Sequence, residues 1–178
     1  MKYLIVSDIH GGSKHLNKVL NSVNYDKLII LGDVLYHGPR NNLPEDYNPK
    51  EITETLNKIS DKIIAIRGNC DAKVDLMVLK LNFKDHLWLK NGTNRMFLTH
   101  GDEYNKDRIP KRLGKYYILH GHTHKNIITN VNQKVININL GSISLPKDGH
   151  YTYAIMDEKS LISYDIVSND IIFEIAFN

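Results

Sequence analysis

The sequence predicts an α/β fold, and three observations predict it. Short apolar runs rich in β-branched residues alternate with amphipathic helical segments through the first half of the chain. From Leu79 onward the pattern changes to short strands. At 178 residues, with 42% apolar and 24% charged residues, the chain reads most simply as one domain, residues 1–178, with a substantial core.

Taken in order, Lys2–Ser7 reads as a buried strand followed by the loop Asp8-Ile9-His10-Gly11-Gly12. Ser13 is placed as the N-cap of a helix running to about Val23, with Leu16, Val19, Leu20 and Val23 on one face. Lys27–Leu31 is a second buried strand, ending in Gly32-Asp33. Strand, helix, strand makes a parallel unit, and such units align their strand ends along one edge. A polar loop from His37 to Pro49 carries three prolines; long ordered loops often carry function, so it is a candidate for substrate contact. A helix from about Lys50 to Ser60 leads to a third strand, Lys62–Ile66, which stops at Arg67-Gly68-Asn69-Cys70-Asp71. A short helix over Ala72–Val78 is expected to turn Val74, Met77 and Val78 inward.

The second half reads as strands at Leu87–Leu89 and Arg95–Thr99, then a basic, partly helical segment at Lys106–Lys115. Tyr116–Leu119 runs into His120-Gly121-His122-Thr123-His124. Strands near Ile127–Thr129, Val135–Ile138, Tyr151–Met156, Leu161–Ile166 and Ile171–Ala176 follow, several joined by hairpin turns.

Composition narrows the function classes. A net charge of +3 favours an anionic substrate but is too small to indicate a nucleic-acid partner. The single cysteine, Cys70, excludes an intrachain disulfide and a Cys-rich zinc site, and fits a reducing compartment. The first strand begins at Lys2, leaving no room for a cleavable leader, and no apolar run approaches the roughly 20 residues that span a bilayer. The expectation is a cytoplasmic protein without a membrane partner; a homo-oligomer is left open.

The strand ends carry one chemistry. They present Asp8 and His10, Asp33, Asn69, His100, and His122 with His124. Asp8 and His10, like His122 and His124, share parity, so in an extended segment both side chains of each pair point to one side. Carboxylate and amide oxygens with imidazoles suit Mn²⁺, Fe or Zn²⁺. Six or seven donors exceed the needs of one catalytic ion with an open position, whereas two ions roughly 3.5–4 Å apart would use them all.

Asp8-x-His10, Gly32-Asp33, Gly68-Asn69-x-Asp71, Thr99-His100-Gly101 and Gly121-His122-Thr123-His124 occur in the order of the five motifs of the calcineurin-like metallophosphoesterases, which the sequence resembles over almost its whole length. Leu31–Leu35, His37–Asn41, Arg67–Asp71 and Val74-Asp75 are similar to the small bacterial YfcE-type phosphodiesterases of that family. The resemblance implies a four-layer α/β/β/α sandwich with two facing mixed sheets and helices outside. It implies that Asp8, His10 and His124 hold one divalent ion, that Asn69, His100 and His122 hold a second, and that Asp33 bridges them. The ions implied are Mn²⁺, with Fe, Ni or Zn as alternatives. A bridging hydroxide would attack phosphorus in line, making the chain a phosphodiesterase for a small or activated phosphodiester. Asp33 and Asn69 would serve catalysis, as would Asp71 by orienting a neighbour or capping the next helix. His37 and Arg40, whose loop leaves the strand end carrying Asp33, would meet the substrate or simply pack within that loop, and Cys70 would meet the substrate. The alternatives are a phosphomonoesterase acting on nucleotides or phosphoproteins, and a metal-bound interaction scaffold, since a retromer subunit resembles this fold.

Other readings stand beside these. A lone Asp after a strand is ordinarily a turn or N-cap residue. His120 is expected to be a packed, hydrogen-bonded histidine or at most a support for a ligand, and His15, His86 and His150 to be structural or on the surface. Two positions depart from the family pattern. Cys70 stands where many members carry the His that protonates the leaving group. Leu140 stands where related sequences often have Pro.

Overall fold

The computed structural model describes residues 1–177. Strand β1 (Tyr3–Val6) is buried on both faces, which is why its apolar residues run on instead of alternating with polar ones. Tyr3 and Ile5 point into one core cluster, Leu4 and Val6 into another. Strands β2 (Lys27–Ile30), β3 (Ile63–Ile66) and a two-residue β4 (Phe83–Lys84) extend the sheet in parallel on one side of β1. On the other side it continues antiparallel through β10 (Thr152–Met156), β11 (Ser160–Asp165) and β12 (Ile171–Ala176). A second mixed sheet contains β5 (His86–Asn91), β6 (Asn94–Thr99), β7 (Tyr116–His120), β8 (Asn126–Asn130) and β9 (Val135–Leu140), in the order β5-β6-β7-β9-β8. Within it β6, β7 and β9 are parallel and the edge strands antiparallel.

The two sheets face one another. Ile5, Ile29 and Leu31 from the first pack with Leu98, Leu119 and Ile138 from the second, all fully buried. Helices α1 (Ser13–Ser22) and α2 (Pro49–Lys58) cover the outer face of the first sheet, meeting Leu4, Val6, Leu28 and Ile30 through Leu16, Val19, Ile52 and Leu56. The expected α/β architecture with two facing mixed sheets is therefore found, and it aligns the carboxyl ends of β1, β2, β3, β6 and β7 along one edge.

Four local expectations change. Ser13 lies inside α1, and Gly12 is the N-cap without a side-chain bond; the Ser13 hydroxyl instead donates to the Asp46 carbonyl at 3.4 Å. Helix α2 begins one residue early because the Asn48 side chain accepts from the Glu51 N–H at 3.2 Å, and Pro49 needs no donor in the first turn. In α3 (Lys73–Val78), Val74, Met77 and Val78 point outward, Met77 being 84% exposed. Only Leu79, just past its end, reaches the core, because a six-residue helix at the sheet edge has no second turn to seat. Residues 101–115 form no helix. They lie as irregular chain on the outer face of the second sheet, where Tyr104 and Ile109 pack on Phe97 and Tyr116, and Arg112 sits over the Trp88 ring at 4.4 Å. Pro110 and Gly114 interrupt any helical ladder there, and the Pro110 carbonyl is taken by the Tyr116 hydroxyl at 2.6 Å.

Candidate metal centre

The residues at the aligned strand ends reach one place by kinked backbone. Asp8, His10, Asp33, His122 and His124 all have positive φ, between 48° and 69°, and only Asn169 shares this among other non-glycine residues described. Left-handed backbone costs a non-glycine residue on the order of 1 kcal/mol or more, so five such residues in one cluster mark a place where geometry overrides local preference. The shared parity of Asp8 with His10, and of His122 with His124, is therefore not what brings each pair together. Neither pair lies in an extended segment, and left-handed turns do the work of the pleat.

Backbone bonds zip these loops together. Asp8 N–H donates to the Gly32 carbonyl at 3.1 Å and His10 N–H to the Asp33 carbonyl at 2.9 Å. Gly121 N–H donates to the His100 carbonyl at 3.0 Å. Gly32 and Gly68 let the β2 and β3 loops touch. A Cβ on Gly32 would stand 2.7 Å from the Gly68 backbone, and one on Gly68 would overlap the Asp33 carboxylate. Asp71 fastens the same junction, its two oxygens accepting from the N–H groups of Val34 (2.7 Å), Gly68 (2.7 Å) and Asp33 (3.0 Å). Asp71 is thus a positioning residue for Asp33, and it caps no helix; the Asp75 carboxylate accepts from Ala72 N–H instead.

The side chains at the strand ends make two sets of close contacts on either side of Asp33, and Asp8, Asp33 and His100 also offer atoms within 4.8 Å of one another. In the first, His124 Nε2 is 3.3 Å and His10 Nε2 3.7 Å from Asp8 Oδ1, and the two Nε2 atoms are 3.1 Å apart. In the second, His100 Nε2 lies 3.1 Å from Asn69 Oδ1 and 3.3 Å from His122 Nδ1. Asp33 Oδ2 stands 3.6 Å from His10 Nε2 and 3.4 Å from His100 Nε2, between the groups, while Asp33 Oδ1 accepts from Cys70 N–H at 2.8 Å.

Hydrogen bonding sets which ring nitrogen faces inward. Nδ1 of His10, His100 and His124 lies 2.7, 2.8 and 2.6 Å from the carbonyls of Tyr36, Leu31 and Leu145. A carbonyl only accepts, so each Nδ1 carries a proton and each Nε2 faces the cluster, where it offers a lone pair once it is deprotonated. Asp8 Oδ1 is buried without a hydrogen-bond partner, whereas Asp8 Oδ2 accepts from Ser7 Oγ at 2.7 Å and from His122 N–H at 2.9 Å. Converging lone pairs beside an unpartnered carboxylate oxygen call for a cation, and the donors fit a divalent ion.

The titrations agree. Burial opposes the protonation of His100, yet its bond to Asp33 and the charges of Asp8 and Asp33 push it up to about 10. Burial favours the neutral form of the Asp8 carboxyl, but the His10 and His124 imidazoles close beside it and the His100 charge hold it well below the ordinary range. Without a metal, protons supply the positive charge that the cluster demands.

A cavity of about 970 Å³ opens above the donors, lined by Asp33, Asn69, His122 and His124 on its floor and by Arg40 and Cys70 on its wall. His37, expected at the substrate, does not line it; its ring stands edge-on to Tyr36 and Tyr47. Tyr36, Lys125 and Lys147 line the cavity and were not anticipated. Lys125 adjoins the last histidine of its motif, a signal the sequence does contain. Lys147 is brought in by a tertiary bond, its N–H donating to the His124 carbonyl at 2.8 Å. His120 is buried beside the cluster, with Nδ1 3.0 Å from the Gly121 carbonyl, and burial pulls it down to about 4. His15, His86 and His150 lie elsewhere, held by the Ile143 carbonyl, the Phe97 ring and Asp165. Leu140 ends β9 and packs in the inter-sheet core.

The chain resembles phosphodiesterase YfcE of Escherichia coli (strain K12), being 36% identical to it with 100% of this chain and 99% of that protein covered. A solved structure of the E. coli phosphoesterase Yfce superposes with a TM-score of 0.94 over the whole of both chains, at 36% identity. YsnB of Bacillus subtilis (strain 168) is 28% identical, with 96% of this chain and 95% of that one covered. Vacuolar protein sorting 29 from Cryptosporidium parvum shares the fold at a TM-score of 0.63 and 14% identity. A family model for the calcineurin-like phosphoesterase superfamily domain matches residues 1–161. With the five strand ends gathered at one centre, the chain belongs to the calcineurin-like phosphoesterase superfamily.

Proposed function

We propose that this chain is a metal-dependent phosphodiesterase with a two-ion centre, acting on a small or activated phosphodiester. The observation that carries the reading is the pair of donor groups sharing Asp33 Oδ2, 3.6 Å from His10 Nε2 on one side and 3.4 Å from His100 Nε2 on the other. Asp8, His10 and His124 would hold one ion, Asn69, His100 and His122 the other, and Asp33 both. Mn²⁺ suits this oxygen and imidazole set, with Fe, Ni or Zn as alternatives. When bound, the ions supply Lewis acidity toward water and phosphate oxygens.

The chain's own residues do the rest. Asp71 holds the Asp33 loop in register through three backbone N–H groups. Asn69 is oriented with its oxygen toward His100 and its amide nitrogen donating to Cys70 Sγ at 3.2 Å. Arg40 offers a planar fork for a phosphate entering the cavity. In the metal-free protein burial and the Asp33 charge push the Cys70 thiol up to about 12; as a thiol it is a weaker acid toward a leaving group than the imidazolium it replaces. A reaction with no strong proton donor favours esters of acidic alcohols, and that supports diesters over alkyl monoesters. We propose that the domain extends past the matched residues 1–161 to the chain's end, since β12 pairs with β11. No described helix is long and apolar enough to cross a membrane. A cytoplasmic setting belongs to the same proposal and is supported by the lone unpaired Cys70.

The test is metal reconstitution of chelated protein against bis(4-nitrophenyl) phosphate and matched alkyl and aryl monoesters. Turnover of the diester with Mn²⁺ is expected, and activity on monoesters alone would overturn the diester reading. Asp33→Asn should weaken metal binding at least about tenfold and lower kcat by about 100-fold or more. Unchanged metal stoichiometry and turnover in that variant would refute the bridging role.

A further inference from the structure

The cavity above the donors is more cationic than a simple phosphodiester requires. Arg40, Lys125 and Lys147 all line it, from three different loops. Among the described residues the ion pairs of Lys and Arg are Arg67–Asp85, Lys106–Asp107 and Arg108–Glu103, so none of the three lining cations has an acidic partner. Two divalent ions held by the carboxylates of Asp8 and Asp33, with a hydroxide between them, would already balance the single negative charge of a diester. Three further cations have no structural pairing to explain them.

Their placement is directional. A side recess of about 280 Å³ adjoins the main cavity and shares Arg40, Asn41 and Lys147 with it; Leu145 and Pro146 form part of its remaining wall. Arg40 and Lys147 therefore stand at the passage between the two spaces. The main chain around the passage is tied down, while Arg40 and Lys147 themselves are exposed. Lys147 N–H is bonded to the His124 carbonyl at 2.8 Å, and the Asn41 amide donates to the His37 carbonyl at 2.7 Å. Tyr36, 40% exposed, also lines the main cavity.

Resting on the reading of the floor as a phosphodiesterase centre, we propose that the substrate is a phosphodiester carrying a second phosphate, held outside the scissile one between Arg40 and Lys147, with Lys125 adding to the field. Arginine grips a phosphate through two N–H groups and lysine as a point charge, so together they read a doubly charged terminal group. Each such charge-assisted contact contributes about tenfold or more in affinity.

The matched probes are thymidine 5′-(4-nitrophenyl phosphate) and the same ester with a 3′-phosphate. Both release 4-nitrophenolate from the same bond and differ only in the second phosphate. The Mn²⁺-loaded wild type is expected to prefer the 3′-phosphorylated ester by about tenfold in kcat/KM, mostly through KM. Lys147→Gln and Arg40→Gln should each lower that preference at least about fivefold. Equal kcat/KM on the two esters, or a preference unchanged in both variants, would overturn the proposal. Calorimetric titration of the metal-loaded protein with thymidine 3′,5′-bisphosphate and with thymidine 5′-monophosphate needs no turnover. Tighter binding of the bisphosphate that is lost in Lys147→Gln supports the second-phosphate site, and equal binding defeats it. Hydrolysis of neither ester with any metal would instead defeat the phosphodiesterase reading, leaving the titration to decide the second-phosphate site by itself.

Discussion

Cys70 sits where three carboxylates act on one thiol. Burial comes first, and then the charges of Asp33, Asp71 and Asp8, in pushing it up to about 12. Since the thiolate is the nucleophile, metal-free protein should react with iodoacetamide at pH 7.5 on the order of 1,000-fold more slowly than free cysteine. Added Mn²⁺ offsets the carboxylate charges and should speed the reaction. Alkylation of the metal-free protein at the rate of free cysteine would sink this account of the site's field. The identities of Asp8, His10, Asp33, Asn69, His100, His122 and His124 were legible because each follows an apolar run that stops abruptly. Their left-handed backbone was not, since Asp and His reach positive φ more readily than most residues but still only in a small minority of positions. Only bonds such as Asp8 N–H to Gly32 and Gly121 N–H to His100 hold that conformation, and those join residues far apart in sequence.

At the scale of elements, strands were read more securely than helices. A strand buried on both faces, such as β1 or β2, shows as a continuous β-branched run whatever packs on it. Helix α3 shows the opposite case. Val74, Met77 and Val78 have a helical pattern but no surface to cover, because the chain turns Leu79 inward instead. Met77→Gln should therefore change unfolding free energy by less than about 0.5 kcal/mol in a urea titration. A loss near the roughly 2–5 kcal/mol of a large-to-small core substitution would show that Met77 is buried in solution. The basic segment Lys106–Lys115, expected to be partly helical, misled too: it lies as irregular chain, because Ile109 packs with Phe97 and Tyr116 and Arg112 sits over the Trp88 ring.

Across the whole molecule, the proposed ligands come from both sheets. Asp8, Asp33 and Asn69 follow β1, β2 and β3 of the first, while His100, His122 and His124 follow β6 and β7 of the second. A metal held by both sets would tie the sheets together at one edge of the inter-sheet core. Mn²⁺ at about 100 times its dissociation constant should stabilise the fold by about 2.7 kcal/mol. For a chain of this size that raises Tm by about 5–11 °C, reversibly with chelator. A Tm unmoved by Mn²⁺, Zn²⁺ and Fe²⁺ alike would argue that the donors do not bind metal as a set. The sequence by itself determined the α/β class and, apart from the two-residue β4, the strands in their order along the chain, and it supplied the seven proposed ligands, because burial pattern and side-chain chemistry are local properties. Tertiary structure alone decided that Asp33 stands between the two donor groups, that Asp71 positions it, and that His37 turns away while Lys147 comes in. These depend on which loops touch when two sheets pack, and spacing along the chain does not encode those distances.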